Sequence, residues 1–158
     1  MIGAYVRRQA YTDCYAVFVP GVTTLAEFVE AFYTTRLFKL ERWLLARALN
    51  LPATDEQALR LAQGACDRYS AWRVEQRSND EILVEFGPTR SWLCAKPAAG
   101  SAPGTTLLFG SVVVPTRPDG GFGLAFHALG GFHRLYARLL LAAAARRVIA
   151  LRRASRAA

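Results

Sequence analysis

The chain has 158 residues, of which 53% are apolar and 20% are charged. A chain of this length fits one domain and can bury about 70% of the surface that its unfolded form exposes. The composition excludes an intrinsically disordered protein. The formal net charge of +8 comes almost wholly from arginine, because Lys39 and Lys96 are the two lysines.

Features of targeting, redox chemistry and cofactor binding are few. The N-terminal stretch MIGAYVRRQAYTD lacks the apolar core of a signal peptide. Cys14, Cys66 and Cys94 show no paired spacing, which predicts neither a disulfide framework nor a zinc site. The stretches GSAPG and PDGGFG lack the pattern of a phosphate loop. We therefore expect a cytoplasmic protein with free thiols, and with no metal and no cofactor.

The first third of the chain predicts one strand followed by two or three helices. Residues 12–20 alternate as a strand, and both of its faces are apolar, so we expect it to be covered on both sides. Thr24 and Thr54 each stand three residues before a Glu or Gln, which is the capping-box pattern of a helix start. Thr34 and Thr35 either separate two helices or lie inside one long helix.

Four further strands are predicted from the stretches SAWRVEQRS, EILVEFG, RSWLCAKP and TTLLFGSVVVP. The first three are close enough to form an antiparallel meander. Alternation places Trp72, Val74 and Gln76 on one face, and Gly110 predicts a bulge or a bend in the last strand. Helices before the meander and one long helix after it predict an α+β fold with the helices against one face of the sheet.

The stretch GGFHRLYARLLLAAAARRVIALRR, residues 130–153, predicts the long C-terminal helix. At 100° per residue, arginines collect on one side, and the broader opposite side holds Phe126, Leu129, His133, Tyr136, Leu140, Ala144, Val148 and Leu151. Arg147 falls inside the apolar arc. Such a helix can cover its own sheet, lie on a membrane or grip nucleic acid. The wide apolar arc favours the first, because a helix that reads a groove needs polar side chains between its arginines.

This order of elements resembles the helix-grip fold of the START-like or Bet v 1-like superfamily (SRPBCC), which includes polyketide cyclases and lipid-transfer proteins. The stretches RSWLCAKP, LLFGSVVVP and GGFHRLYARLL are also similar to small bacterial proteins that look related to it. The resemblance covers residues 11–150. It implies a curved sheet, a cavity between the sheet and the last helix, and a hydrophobic or aromatic small molecule as ligand. The binding residues expected in that cavity are Trp72, Trp92, Cys94, Phe109, Ser111, His133 and Tyr136.

We assign residues 1–150 to a single helix-grip-like ligand-binding domain, and residues 151–158 to a basic tail that frays from it. Truncation after Ile149 is then expected to leave the fold intact. A further alternative is a basic interaction protein that binds anionic lipid or nucleic acid through the C-terminal arginines. Weak contact with anionic lipid is then expected, whereas no motif predicts a specific nucleic-acid partner. The longest apolar stretch of the last helix, residues 139–145, is far shorter than the about 20 residues that cross a bilayer.

His133 is the candidate for chemistry, because it lies on the apolar side of the last helix. It is either a core histidine with a hydrogen-bond partner, or a polar anchor and proton donor for a bound ligand. In the second case the cavity belongs to a cyclase, dehydratase or hydrolase with His133 as acid or base. A nucleophilic site that joins Asp13, Cys14 and Cys94 to His133 has no support from their spacing. His127 falls on the arginine side of the same helix.

Overall fold

The computed structural model describes residues 1–7, 10–99, 103–114 and 124–157, with side chains throughout except at 49, 124–130 and 156–157. The helices of these ranges are α1 Gly3–Arg7, α2 Leu25–Tyr33, α3 Arg36–Leu49, α4 Asp55–Ala62 and α5 Leu124–Ala157. The strands are β1 Tyr11–Pro20, β2 Arg68–Tyr69, β3 Trp72–Arg77, β4 Glu81–Phe86, β5 Thr89–Pro97 and β6 Gly104–Val113. Residues 100–102 and 115–123, which include most of the stretches GSAPG and PDGGFG, lie outside the described residues.

All strands of the described ranges join one curved, open antiparallel sheet in the order β1-β6-β5-β4-β3-β2. β1 and β6 pair along their whole length, from Tyr11 opposite Val113 to Pro20 opposite Gly104. β3 pairs with β4, β4 with β5, and β5 with β6, which confirms the predicted meander. The short strand β2 at the far edge was not predicted.

Two threonines explain why α2 and α3 are separate helices. Thr34 is the C-cap of α2, and Thr35 is the N-cap of α3, where its side chain accepts the N–H of Phe38. Each threonine hydroxyl also competes with the helical pattern of backbone bonds at this point. The alternative of one long helix is therefore excluded. The capping boxes predicted at Thr24 and Thr54 are both formed.

The core lies between one face of the sheet and the layer made by α2, α3, α4 and α5. Its largest buried side chains include Phe28, Phe32, Tyr33, Leu61, Tyr69, Ile82, Leu93, Leu107 and Leu140. From α5, the core takes Ala137, Leu140, Leu141, Ala144, Ala145 and Val148. Burial of each large apolar side chain contributes about 1.5–3 kcal/mol. The predicted α+β fold, with the long C-terminal helix packed across the sheet, is confirmed.

The outer face of the sheet is covered less completely than predicted. The residues of α1 pack over the centre of this face, against Leu83, Trp92 and Cys94. On β1, however, the outward side chains Cys14 and Phe18 are exposed. The prediction that β1 is covered on both faces is wrong, because β1 is an edge strand and α1 lies over its inner neighbours.

A β-bulge between Val74 and Gln76 changes the predicted alternation of β3. Regular alternation predicts Gln76 on the same face as Trp72. The bulge instead pairs Gln76 with Leu83 on the outer face. It also turns Arg77 toward the helices, where its guanidinium donates to backbone carbonyls in the last turn of α4. An arginine at that position satisfies carbonyls that have no partner within their own helix.

The bulge predicted at Gly110 is wrong. Gly110 pairs in register with Cys14 on β1 and with Trp92 on β5. A Cβ at this position would lie 2.8 Å from Ile2 Cδ1 and 3.1 Å from Trp92 Cε3. Glycine is required here because α1 and the Trp92 ring approach the strand closely.

Helix α5 runs past the predicted domain boundary at residue 150 without a break. Arg152 donates hydrogen bonds to backbone carbonyls in the turn after β1. Arg147 donates to the Thr34 hydroxyl at 2.6 Å, which explains an arginine within the apolar arc. The helix is thus attached to the domain as far as Arg152. The fraying predicted for 151–158 stays a prediction for the residues beyond it.

Candidate functional site

A polar cluster lies where α5 crosses β1 and β6, among otherwise apolar contacts. Its centre is Asp13 on β1, whose side chain is 11% exposed. The Oδ1 atom of Asp13 accepts the backbone N–H of Ser111 at 3.0 Å. The Oδ2 atom lies 3.3 Å from the Tyr11 hydroxyl and 3.5 Å from the Tyr15 hydroxyl. Asp13 therefore links Tyr11 and Tyr15 of the edge strand β1 with Ser111 of the neighbouring strand β6.

His133 approaches the same carboxylate from α5. Its Nε2 atom lies 3.0 Å from Ser111 Oγ and 3.5 Å from Asp13 Oδ2. The side chain is 38% exposed, so the ring reaches solvent on one side. A serine hydrolase places the serine and the carboxylate on opposite nitrogens of its histidine. Here both lie nearest to Nε2, so the three residues do not form that triad.

The cluster favours the ionised form of Asp13. Burial is the largest influence on this carboxyl and would raise its pKa. The hydrogen bond and the charge interaction with His133, together with the bonds from Ser111, outweigh burial. The pKa of Asp13 is therefore lowered, and the carboxylate carries its charge at neutral pH.

A second carboxylate lies next to the cluster on α3. The Tyr136 hydroxyl of α5 donates a hydrogen bond to Glu41 Oε2. Burial raises the pKa of Glu41, although the bond from Tyr136 and the nearby His133 act in the opposite direction. Burial and the Glu41 charge also raise the pKa of Tyr136. Asp13 and Glu41 are thus pushed in opposite directions while His133 interacts with both.

The seven predicted binding residues do not share one face of the sheet. Phe109 and Ser111 face the helices from β6, where His133 and Tyr136 meet the sheet end. Trp72 faces the helices too, but it lies on β3 and is separated from β6 by two strands. Its ring packs against Tyr33, Phe38, Tyr69 and Phe86.

Trp92 and Cys94 lie on the opposite face, beneath α1. Their inclusion in a site with His133 is wrong, because odd and even residues of β5 point to opposite faces. The Trp92 Nε1–H donates to Glu81 at 2.8 Å. Burial raises the pKa of Cys94 to about 11, so its thiol is protonated at neutral pH. This weighs against a metal bound by Cys94 with its neighbours Asp80 and Glu81.

Sequence reasoning missed Glu41 as a member of the site, and it related Asp13 to His133 only through a nucleophilic site that the spacing does not support. Both signals were available in the sequence. Asp13 has the same parity as the inward residues Tyr15 and Val17 of β1. Glu41 lies one helical turn after Leu37, whose side chain packs against the core. An acidic residue in phase with an apolar face indicates a buried carboxylate, and buried carboxylates require partners.

The surroundings of the cluster are apolar and partly open. The Phe132 ring stacks on Tyr136 at a centroid distance of 6.1 Å, and Phe132 itself is 67% exposed. Deeper in, Phe32 packs against Phe109 at 4.9 Å. Aromatic side chains therefore fill the space below the cluster, and the accessible part is the α3–α5 end near His133. Two surface depressions, around Ser70 and around Ile149, lie elsewhere.

Comparisons with known proteins give a fold likeness and no family. No protein-family model matches the chain, and no curated protein matches it. A conserved protein of unknown function from Enterococcus faecalis has a similar structure, with a TM-score of 0.42 and 10% sequence identity. The match covers 89% of this chain and 72% of that protein. Across the described residues, no helix combines the length and the apolar character that crossing a bilayer requires.

Proposed function

We propose that the protein binds a hydrophobic or aromatic small molecule at the α3–α5 end of the sheet. The observation that carries the proposal is the pair of embedded carboxylates, Asp13 and Glu41, on either side of the partly exposed His133. Their pKa values are displaced in opposite directions. Perturbed pKa values cluster at functional sites, and here the perturbed groups lie beside the aromatic side chains Phe132 and Tyr136.

Stability alone does not account for Glu41. Burial raises the pKa of Glu41, which means that its charged form is disfavoured at that position. A glutamine would keep an acceptor for Tyr136 without burying a charge. A carboxylate at this place therefore costs stability, and such costs are typical of functional sites.

The cluster also restricts the chemistry of the ligand. Phe132 and Tyr136 offer aromatic surface beside it. The carboxylates accept hydrogen bonds, and His133 can donate or accept according to its tautomer. A ligand with an apolar body and a hydroxyl or carbonyl group at one end satisfies both. A fatty acid fits less well, because its carboxylate would lie beside the carboxylates of Asp13 and Glu41.

Native mass spectrometry of freshly purified protein, together with thermal shift, tests the proposal. We expect a bound small molecule, or a rise in melting temperature with the hydroxylated aromatic alizarin that exceeds the rise with oleate. His133→Ala should reduce the shift, whereas His127→Gln, which changes the other histidine of the chain, should not. A protein without bound molecule that shows no shift with either probe would contradict ligand binding.

A second candidate is an enzyme that uses the same site for general acid–base chemistry. The opposite displacement of the Asp13 and Glu41 pKa values favours it, because paired acids and bases are often tuned in this way. The reaction class would be a cyclisation, dehydration or hydrolysis of the bound molecule. His133→Ala separates the two functions. A binder loses modest affinity, whereas an enzyme loses turnover while binding is largely kept.

A further inference from the structure

The outer surface of α3 and α5 carries six large apolar side chains that are about half exposed or more. On α3 these are Leu40, Trp43 and Leu44, with exposed fractions of 55%, 57% and 54%. On α5 these are Phe132, Leu135 and Leu139, with exposed fractions of 67%, 59% and 48%. The spacings i, i+3, i+4 and i, i+3, i+7 place each set on one face of its helix. We call the six residues the outer patch.

The two halves of the outer patch lie side by side. Glu41, which stands next to Leu40 in the chain, receives the hydrogen bond of Tyr136. Phe132 stacks on the same Tyr136 ring. The Glu41–Tyr136 bond therefore ties the two helices together next to both stripes. Exposed apolar surface of this extent is typical of a place where something else binds.

Positive charge surrounds the outer patch, and carboxylates are absent from it. Residues 124–157 contain no Asp or Glu, and the one acid of α3 is Glu41, which is bonded to Tyr136. The exposed arginines of the two helices are Arg36, Arg47, Arg134, Arg138, Arg146 and Arg153. An apolar face flanked by arginines, without acids, is complementary to an anionic surface that also offers hydrocarbon.

We propose that the outer patch docks on anionic lipid bilayers, with Trp43 and Phe132 at the level of the headgroups. Juxtamembrane arginines add an attraction to anionic lipid, and exposed Leu and aromatic side chains enter the interface. A second copy of the chain fits less well, because a symmetric dimer through this face would oppose arginine to arginine. Nucleic acid also fits less well, because it offers no apolar surface against which the leucines of the outer patch could pack. The docking does not depend on the small-molecule site.

Trp43 gives a direct readout. The chain has three tryptophans, and Trp72 and Trp92 are each only 6% exposed. Vesicles of phosphatidylcholine with about one third phosphatidylglycerol should shift the Trp43 emission to shorter wavelength at physiological salt. Brominated acyl chains should quench this emission. Trp43→Phe should remove the spectral change while the protein still sediments with vesicles. Emission that stays unquenched, whether or not the protein sediments, would overturn the proposal.

Matched variants separate the outer patch from general hydrophobicity. Leu44→Gln with Leu139→Gln should weaken vesicle binding at least about tenfold, whereas Leu59→Gln with Val22→Gln, exposed apolar residues elsewhere, should change it less than about twofold. Arg146→Gln should cost about fivefold. Three results would contradict lipid docking. The first is an equal loss of vesicle binding in both double variants. The others are a dimer, seen by light scattering, that Leu139→Gln dissociates, and tighter binding to an oligonucleotide than to vesicles. If the first double variant does not fold, the quenching of wild-type Trp43 decides.

Discussion

His133 Nε2 lies 3.0 Å from the Ser111 hydroxyl, and this contact joins the long C-terminal helix to the C-terminal part of β6, the strand next to the edge strand β1. The Ser111 backbone N–H in turn donates to Asp13. Asp13 and Ser111, which lie opposite each other on β1 and β6, are thus bonded to each other, and both contact His133 of the helix. Substitution of Asp13 should consequently change the free energy of unfolding and its dependence on pH.

Asp13→Asn should make the protein less stable at pH 7 and reduce its sensitivity to acid. The folded state lowers the pKa of Asp13. A lowered carboxyl pKa stabilises the fold above the unfolded value of about 3.9, and this stability is lost as the pH falls through the folded value. We expect a loss of about 1–2 kcal/mol at pH 7, and convergence with wild type once the pH lies below the folded value. Urea unfolding at a series of pH values measures both.

Asp67→Asn serves as the control for this series, because Asp67 is exposed on the loop before β2. Its unfolding curves should follow wild type at every pH. An Asp13→Asn variant with the acid sensitivity of wild type would show that Asp13 does not carry the effect.

Glu41→Gln should make the protein more stable at neutral pH. Burial raises the pKa of Glu41 in the folded state. The stability linked to a raised pKa is complete below the unfolded value of about 4.3 and is lost as the pH rises through the folded value. Glutamine does not titrate, so the variant should gain about 1 kcal/mol at pH 7 and nothing near pH 3. Lower stability of Glu41→Gln at pH 7 would mean that the bond from Tyr136 outweighs burial.

Most of the fold was predictable because local signals agree with the tertiary packing. Period-two alternation located the strands, and the capping boxes at Thr24 and Thr54 marked helix starts. The bulge in β3 was not predictable, since it depends on the fit of Arg77 to the end of α4. Gly110 misled for the complementary reason. A side chain at Gly110 would collide with the Trp92 ring of the neighbouring strand. Only the pairing register shows that these two residues are neighbours.

The site was predictable only in part. Helical periodicity placed His133 and Tyr136 on the apolar side of the last helix. His133 contacts Ser111 of the sheet, whereas Tyr136 bonds to Glu41 of α3. Trp92 and Cys94 point to the face of the sheet opposite to the helices. Strand alternation is enough to show this once the face that carries the helical layer is known. Glu41 escaped notice, and Asp13 was related to His133 only through an unsupported nucleophilic site, because acids in apolar stripes were judged by type and not by phase. Which strand lies beside which helix depends on topology, so no local pattern could unite β1, α3 and α5.

Tyr33→Phe should stabilise the protein slightly. Within the described residues, the buried hydroxyl of Tyr33 has no hydrogen-bond partner, while its ring packs against Phe38 and Tyr69. A buried hydroxyl without a partner costs about 1–3 kcal/mol. Removal of the oxygen keeps the packing and should raise the free energy of unfolding by about 1 kcal/mol. Thermal unfolding measures it, and a lower melting temperature for Tyr33→Phe would show that the hydroxyl does have a partner.

Arg152→Ala should destabilise the protein, although Arg152 belongs to the segment predicted to fray. Its guanidinium donates to the Pro20 carbonyl at 2.9 Å and lies 3.7 Å from a Glu27 carboxylate oxygen. Loss of these charged bonds should cost about 1–3 kcal/mol. The exposed neighbour Arg153 is the control, and Arg153→Ala should stay within about 0.5 kcal/mol. Equal effects of the two variants, or an unaffected truncation after Ile149, would show that the last turns contribute nothing.

The most direct test of ligand binding is an NMR titration that follows the imidazole signals of the two histidines. With alizarin as the probe, we expect saturable shifts of the His133 ring resonances, while those of His127 move little or not at all. Glu41→Gln should reduce the affinity for alizarin, even though it stabilises the fold, because it removes a charged hydrogen-bond acceptor from the site. Histidine resonances that do not change at saturating probe, or that change equally for both rings, would contradict a ligand site at His133.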